Sequence, residues 1–211
     1  MDDADDLPSA LTLSSYEHHA DRYIQRTSTD HSPLVDDLIA LTITGAVVLE
    51  LGSGPGRDAL ELEAAGLIVH RTDGAASFVE RFHRDGLEAR VLNVLTHDFG
   101  GPFDAIFANA VLLHIPRTRL RNVLATALRA TRPGGLLVAS FKKGDSDEWS
   151  IRKLEAPRHF TYWQEDELHQ VASDAGWNPL KIVEATQAES VEQWITVTAR
   201  KKEHPVSRST D

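Results

Sequence analysis

Short runs rich in β-branched and large apolar residues recur along this chain, each followed by a stretch with helical spacing. That alternation constrains the fold more than any other feature. The runs are AVVLEL (Ala46–Leu51), LIVHRT (Leu67–Thr72), EARVL (Glu88–Leu92), FDAIFAN (Phe103–Asn109) and GLLVASF (Gly135–Phe141). The best-marked helix covers Arg119–Thr131, with Leu120, Val123, Leu124, Ala127 and Leu128 on one face, Thr118 before it and Pro133-Gly134-Gly135 as its stop. A second starts at Ser32-Pro33, a capping residue followed by proline at the first helical position. A third runs from Gln164 to Ala175 and ends at Gly176. Strands separated by helices require right-handed crossovers, hence a parallel sheet covered on both faces. At the C-terminal end, LKIVEA and VEQWITVTAR are separated by only a short polar link, which predicts an antiparallel hairpin. The expected architecture is an α/β, doubly wound, seven-stranded sheet, mostly parallel with a C-terminal antiparallel hairpin.

At 211 residues the chain is expected to form a single domain over residues 14–200, its first part (14–43) a helical lid. The charged opening MDDADD and the closing KKEHPVSRSTD predict disordered tails at 1–13 and 201–211. A net charge of −10 argues against a nucleic-acid partner, which needs concentrated Lys and Arg. No apolar run approaches bilayer-spanning length and the acidic N-terminus lacks signal-peptide features, so neither membrane association nor export is expected. The absence of cysteine excludes disulfide and thiolate chemistry and fits the cytoplasm. The ten histidines show no HxxxH or Cys/His spacing, so no metal site is expected. A small-molecule ligand is the expected partner; the sequence is silent on oligomeric state.

In a sheet of this kind ligands bind beyond the carboxyl ends of the strands, at the switch point beside the first strand. The loop there reads Gly52-Ser53-Gly54-Pro55-Gly56, a GxGxG pattern preceded by Glu50. A dinucleotide fingerprint would be GxGxxG, and Arg57 breaks it; no Gly-Lys-Ser/Thr follows, so it is not a Walker loop either. Asp73 ends the second strand, roughly 20 residues on, where a carboxylate accepts hydrogen bonds from both hydroxyls of a ribose or, alternatively, caps the next helix. Loop and acid together favour an adenosine-bearing ligand.

Taken with PFDAIFANAVLLHIP (Pro102–Pro116) and LRATRPGGLLVASF (Leu128–Phe141), VLELGSGPG and Asp73 make the chain resemble the class I S-adenosylmethionine-dependent methyltransferases, in particular small bacterial ones with a GPGRDA loop. The resemblance runs from about Ser14 to Lys201 and implies a Rossmann-like fold, S-adenosyl-L-methionine as cofactor and methyl transfer to a small-molecule acceptor by in-line displacement. It implies that Gly52, Ser53, Gly54 and Gly56 approach the methionyl part and that Glu50 lies beneath the loop. It further places Asp73 on the ribose, Gly74 and Ala75 along the adenine edge, and Asn93 and Val94 after the third strand. Asn93 stands where relatives often carry an acid, and its side-chain oxygen can still accept the adenine amino hydrogen.

His114, beyond the fourth strand, is the candidate catalytic base, or else a histidine packed on an apolar turn and bonded to backbone. Asn109 lines the methyl pocket or merely ends its strand. In SSYEHHADRYIQR, Tyr16 is the expected ligand contact, with Arg22 or Arg26 meeting the cofactor carboxylate; the other reading is an amphipathic helix docked on the sheet edge. Loops after the fifth strand shape acceptor pockets, which brings in Lys142, Arg158, His159, Tyr162 and Trp163. A catalytically silent protein that binds the cofactor or its demethylated product as a sensor or partner is the alternative function, because binding and turnover share the same glycines and acid.

Overall fold

The structure is a computed structural model that describes residues 6–186 and 192–203. Its main sheet has the order β3-β2-β1-β4-β5-β10-β9, from Ala89–Val91 (β3), Ile68–Asp73 (β2), Val47–Leu51 (β1), Phe103–Ala108 (β4), Thr131–Lys143 (β5), Gln193–Lys201 (β10) and Trp177–Thr186 (β9). β1 to β5 pair in parallel, while β10 runs antiparallel to both β5 and β9, as the expected terminal hairpin requires.

Side chains of a strand point alternately to opposite faces, and here each alternation feeds a different core. Val48, Ala105, Phe107, Leu136 and Val138 meet Leu34, Val35 and Leu38 of α3 (Pro33–Ile39) and Leu62 of α4 (Arg57–Ala64) on one face. Leu49, Ile106, Ala108, Leu137 and Ala139 meet α6 (Arg117–Ala130) and α7 (Glu165–Asp174) on the other. Double-sided burial explains why these strands read as continuous apolar runs. α5 (Ala76–Arg84) packs through Phe78 against Ala20 of α2 (Ala20–Arg26).

Several boundaries differ from expectation. α6 starts at Arg117, not Arg119, because the Pro116 carbonyl already accepts the N–H groups of Arg119 and Leu120. Ser32 precedes α3 without capping it; its hydroxyl instead accepts from Asn109. The stretch after β5, expected to be irregular, contains a small antiparallel pair, Glu148–Ser150 (β6) with Arg158–Phe160 (β7), and Tyr162–Trp163 (β8), which pairs in parallel with the last residues of β5. α3, within the span 14–43 expected to be a lid, belongs instead to the sheet's covering layer.

The largest correction lies at the N-terminus. Residues 7–13, expected to belong to a tail, form the first part of α1 (Leu7–His18). α1 docks through polar side chains: Ser9 Oγ donates to the His114 carbonyl (2.8 Å), Ser15 Oγ to the Pro157 carbonyl (2.7 Å), and Thr12 Oγ1 accepts from the His159 N–H (2.8 Å). At the other end Lys201 is the last residue of β10, its ammonium donating to the Leu128 and Thr131 carbonyls, so the tail expected at 201–211 loses its first residue. The remainder of both tails lies largely outside the described residues.

Candidate functional site

A cavity of about 1170 Å³ opens beyond the carboxyl ends of β1, β2, β4 and β5. Its floor is the turn between β1 and α4. Gly52 there has φ +66°, and a methyl built on it would lie 2.4 Å from Val111 Cγ2, so no side chain fits. Gly56 also has a positive φ, +85°, and a methyl built on it would lie 2.6 Å from Phe82 Cε1 of α5; Gly56 does not line the cavity. Its place in the glycine pattern thus serves packing between α4 and α5.

Asp73 ends β2 and locks this turn. Its Oδ2 accepts the Gly54 N–H at 2.9 Å and its Oδ1 the Ala75 N–H at 2.8 Å. Burial pushes its carboxyl up to about 6, against the pull of the Ala75 and Gly54 N–H bonds. It does not cap α5, whose N-cap Ala75 has no side-chain bond. Each carboxylate oxygen has a second lone pair, so Asp73 retains capacity for hydroxyl donors from the cavity.

Glu50 lies beneath the loop but does not line the cavity. Its carboxyl is bonded to the Ser53 hydroxyl, and Ser53 Oγ also accepts the Thr72 N–H. Burial pushes Glu50 up to about 8, outweighing the Ser53 bond and favouring the neutral form, and through Ser53 it braces β1 against β2. Ala75 is likewise buried away from the cavity. Gly74, Asn93 and Val94 do line it, although Asn93 Oδ1 already accepts the Leu95 N–H at 3.0 Å.

Past β4 the backbone is strained: Ala110 has φ +57°, a conformation disfavoured for a residue with a Cβ. Ser140 of β5 holds it, accepting the Ala110 N–H and donating to Asn109 Oδ1, both at 2.8 Å. Asn109 Nδ2 completes the network with Asp58 Oδ2 (2.7 Å) and Ser32 Oγ (3.1 Å). Asn109 therefore lines the cavity and also ties three elements together.

His114 sits on the 3-10 turn Leu112–His114 with both ring nitrogens engaged. The hydrogen-bond pattern assigns its proton to Nδ1, which donates to the His159 carbonyl (2.6 Å), leaving Nε2 to accept from the Tyr16 hydroxyl (3.0 Å). Arg158 in turn donates to Tyr16 Oη at 3.2 Å. Burial first, and then neighbouring cations against the pull of the His159 carbonyl, takes His114 down to about 3; burial drives Tyr16 upward. Both are neutral at physiological pH, and both line the cavity.

Arg22 and Arg26 do not face the cavity: both pair with Glu155, at 2.9 and 2.7 Å. Nor do Lys142, Arg158, His159, Tyr162 and Trp163 line it; Lys142 and Tyr162 border a second cavity of about 250 Å³. Arg158 reaches the site through Tyr16. The cavity wall instead includes Lys153, Glu192, Trp194 and Thr196. Trp194 and Thr196 are two apart on β10, one face of a strand, and only the pairing of β10 with β5 brings that face to the cavity.

A protein-family model for a methyltransferase domain matches residues 16–182. Hemagglutinin 1 of Eikenella corrodens is 30% identical over 186 residues, covering 83% of this chain, which spans only 58% of that relative's length. Among solved structures, the 1,6-didemethyltoxoflavin-N1-methyltransferase of Burkholderia thailandensis, with its substrate and S-adenosylhomocysteine bound, aligns with TM-score 0.72 at 23% identity over 92% of this chain and 87% of that one. Magnesium protoporphyrin IX methyltransferase of Synechocystis PCC 6803, with bound S-adenosylhomocysteine, aligns with TM-score 0.71 at 14% identity over 92% and 99%. At these identities the likeness establishes the fold.

Proposed function

The chain belongs to the methyltransferase-domain family, of the class I S-adenosylmethionine-dependent type, and from that premise we propose that it methylates a small-molecule acceptor by in-line displacement. The cofactor supplies the activated methyl carbon; the protein's task is to orient donor and acceptor in a site that excludes water. The observation that carries the assignment is Asp73, a buried carboxylate pinned at the cavity wall by the Gly54 and Ala75 N–H groups with lone pairs to spare. It would accept the ribose hydroxyls, with Gly52, Ser53 and Gly54 against the methionyl chain and Gly74, Asn93 and Val94 around the adenine. Glu50, Gly56 and Ala75 support these residues from behind.

Asn109, Ser140, Trp194 and Thr196 line the same cavity and would face the acceptor. His114 acts through Tyr16, accepting its hydroxyl proton in a hydrogen bond and fixing the ring's orientation. With Nε2 held by Tyr16 and Nδ1 by the His159 carbonyl, His114 is poorly placed to take a proton from an acceptor, which favours an acceptor atom that is nucleophilic on arrival, as an amine, phenolate or thiolate is. The net charge of −10 favours a small acceptor over a nucleic acid. No helix among the described residues is long and apolar enough to cross a membrane. The engagement of both His114 nitrogens also favours the alternative, a protein that binds the cofactor without turnover.

Calorimetric titration with S-adenosylhomocysteine, with NAD as comparison and Asp73→Ala as control, tests the cofactor site. Micromolar binding of the former alone, lost in the variant, is expected; preference for NAD would overturn the reading. Formation of S-adenosylhomocysteine from the cofactor in an acceptor screen separates an enzyme from a silent binder.

A further inference from the structure

The charged side chains around the main cavity are almost all accounted for within the protein. Arg57 donates to Asp58 at 2.6 and 2.8 Å and to the Ser28 carbonyl at 3.1 Å. His31 lies between Glu61 and Asp36, at 2.6 and 2.8 Å. Lys153 is different. Its ammonium stands 4.5 Å over the Tyr23 ring and has no ion-pair partner among the described residues. Burial, reinforced by Arg158 and opposed by the Glu192 carboxylate across the cavity wall, lowers its pKa to about 8; Glu192 itself is paired with Lys142.

The segment that carries Lys153 is fastened in place. Arg22 donates to the Leu154 carbonyl (2.8 Å) and Arg26 to the Lys153 carbonyl (3.3 Å), and both arginines also hold the Glu155 carboxylate. Glu155 itself adopts φ +56°, and its N–H donates to the Ile151 carbonyl at 2.8 Å. The Leu154 side chain is fully buried and the Pro157 carbonyl accepts from Ser15. Strain, ion pairs and burial thus converge on one result, an ammonium fixed at the cavity wall.

Its neighbours indicate what it meets. A methyl built on Gly54 would lie 3.7 Å from Tyr23 Cε1, and Gly54 donates its N–H to Asp73. Asp73, Gly54, Tyr23 and Lys153 therefore form a contiguous row, with a hydrogen-bond acceptor at one end and a cation at the other. A ligand with hydroxyls at one end and a carboxylate at the other matches that polarity. We propose that Lys153 is the anion-binding residue of this cavity and that it takes the carboxylate of the cofactor's methionyl group.

The inference rests on the cofactor reading above, and the two fail separately. The test is titration of wild type, Lys153→Met and Lys153→Arg with S-adenosylhomocysteine and with 5′-methylthioadenosine, which keeps the ribose and adenine but lacks the amino-acid end. Losing a charge-assisted bond should weaken S-adenosylhomocysteine binding to Lys153→Met on the order of tenfold or more. Binding of 5′-methylthioadenosine should stay within about twofold, and Lys153→Arg should recover part of the loss. Unchanged S-adenosylhomocysteine binding would overturn the assignment and leave an anionic acceptor as the ammonium's ligand. Equal weakening of both ligands would overturn it in favour of a structural role. Failure of wild type to bind S-adenosylhomocysteine would overturn the cofactor reading and this one with it.

Discussion

Burial raises both carboxyl groups near the glycine turn, Glu50 to about 8 and Asp73 to about 6, yet they face different partners. Asp73 must be ionised to accept ribose hydroxyls with full strength, so cofactor affinity should fall as pH drops through about 6. Roughly tenfold weaker S-adenosylhomocysteine binding at pH 5 than at pH 7 is expected by calorimetry, and Asp73→Asn should flatten that profile. Glu50 works the other way, on stability. A carboxyl whose folded pKa lies above its unfolded value binds its proton more tightly when folded, so its contribution is complete below about 4.5 and is lost as pH rises to about 8. Glu50→Gln cannot ionise, and its melting temperature should gain on wild type across that window and then hold level. Gly52→Ala faces both a positive φ and Val111 Cγ2 at 2.4 Å, and should unfold at lower temperature and lose cofactor binding together. Gly52, Gly54 and Asp73 were legible because their chemistry is local. Lys153 was not, since nothing in IRKLEAP marks it apart from the other surface lysines.

At the scale of elements, the strands were readable, while the first helix was expected only from residue 14 onward and its 7–13 part was assigned to a tail. A strand buried on both faces shows itself as an apolar run, and β1, β4 and β5 do. α1 inverts the usual pattern: it exposes Leu7 and Leu11 and buries Ser9, Thr12 and Ser15, which bond backbone groups of the turn after β4 and the segment before and within β7. Apolar periodicity has no access to a helix held this way. β6, β7 and β8 were missed for a related reason, being two or three residues long and paired with distant segments. The clamp between α2 and the 151–157 segment lends itself to a direct test. Its ion pairs are exposed, so Glu155→Ala should cost about 1 kcal/mol or less of stability. If the clamp positions Lys153, the same variant should still weaken S-adenosylhomocysteine binding severalfold; a melting temperature and an affinity measured on one preparation check both halves.

For the whole molecule, the site is assembled from parts far apart in the chain: α1 and α2, the β1, β2 and β4 ends, the 151–157 segment and β10. A ligand that bridges them should stabilise the fold globally. At S-adenosylhomocysteine a hundredfold above its dissociation constant the gain is about 2.7 kcal/mol, which for a chain of this size raises the melting temperature by roughly 5–10 °C. No shift in a thermal melt would contradict a site that joins these elements. By itself the sequence determined the layered α/β fold, its C-terminal hairpin, and a glycine turn with a strand-end acid beside it at the cavity, because each is encoded by periodicity or by a few adjacent residues. Tertiary structure alone decided that Gly56 serves packing, that the Arg22 and Arg26 side chains position a segment, that both His114 nitrogens are occupied, and that Lys153 faces the cavity. Those roles depend on which partner arrives from a distant part of the chain, and burial and hydrogen bonding exist only once it has arrived.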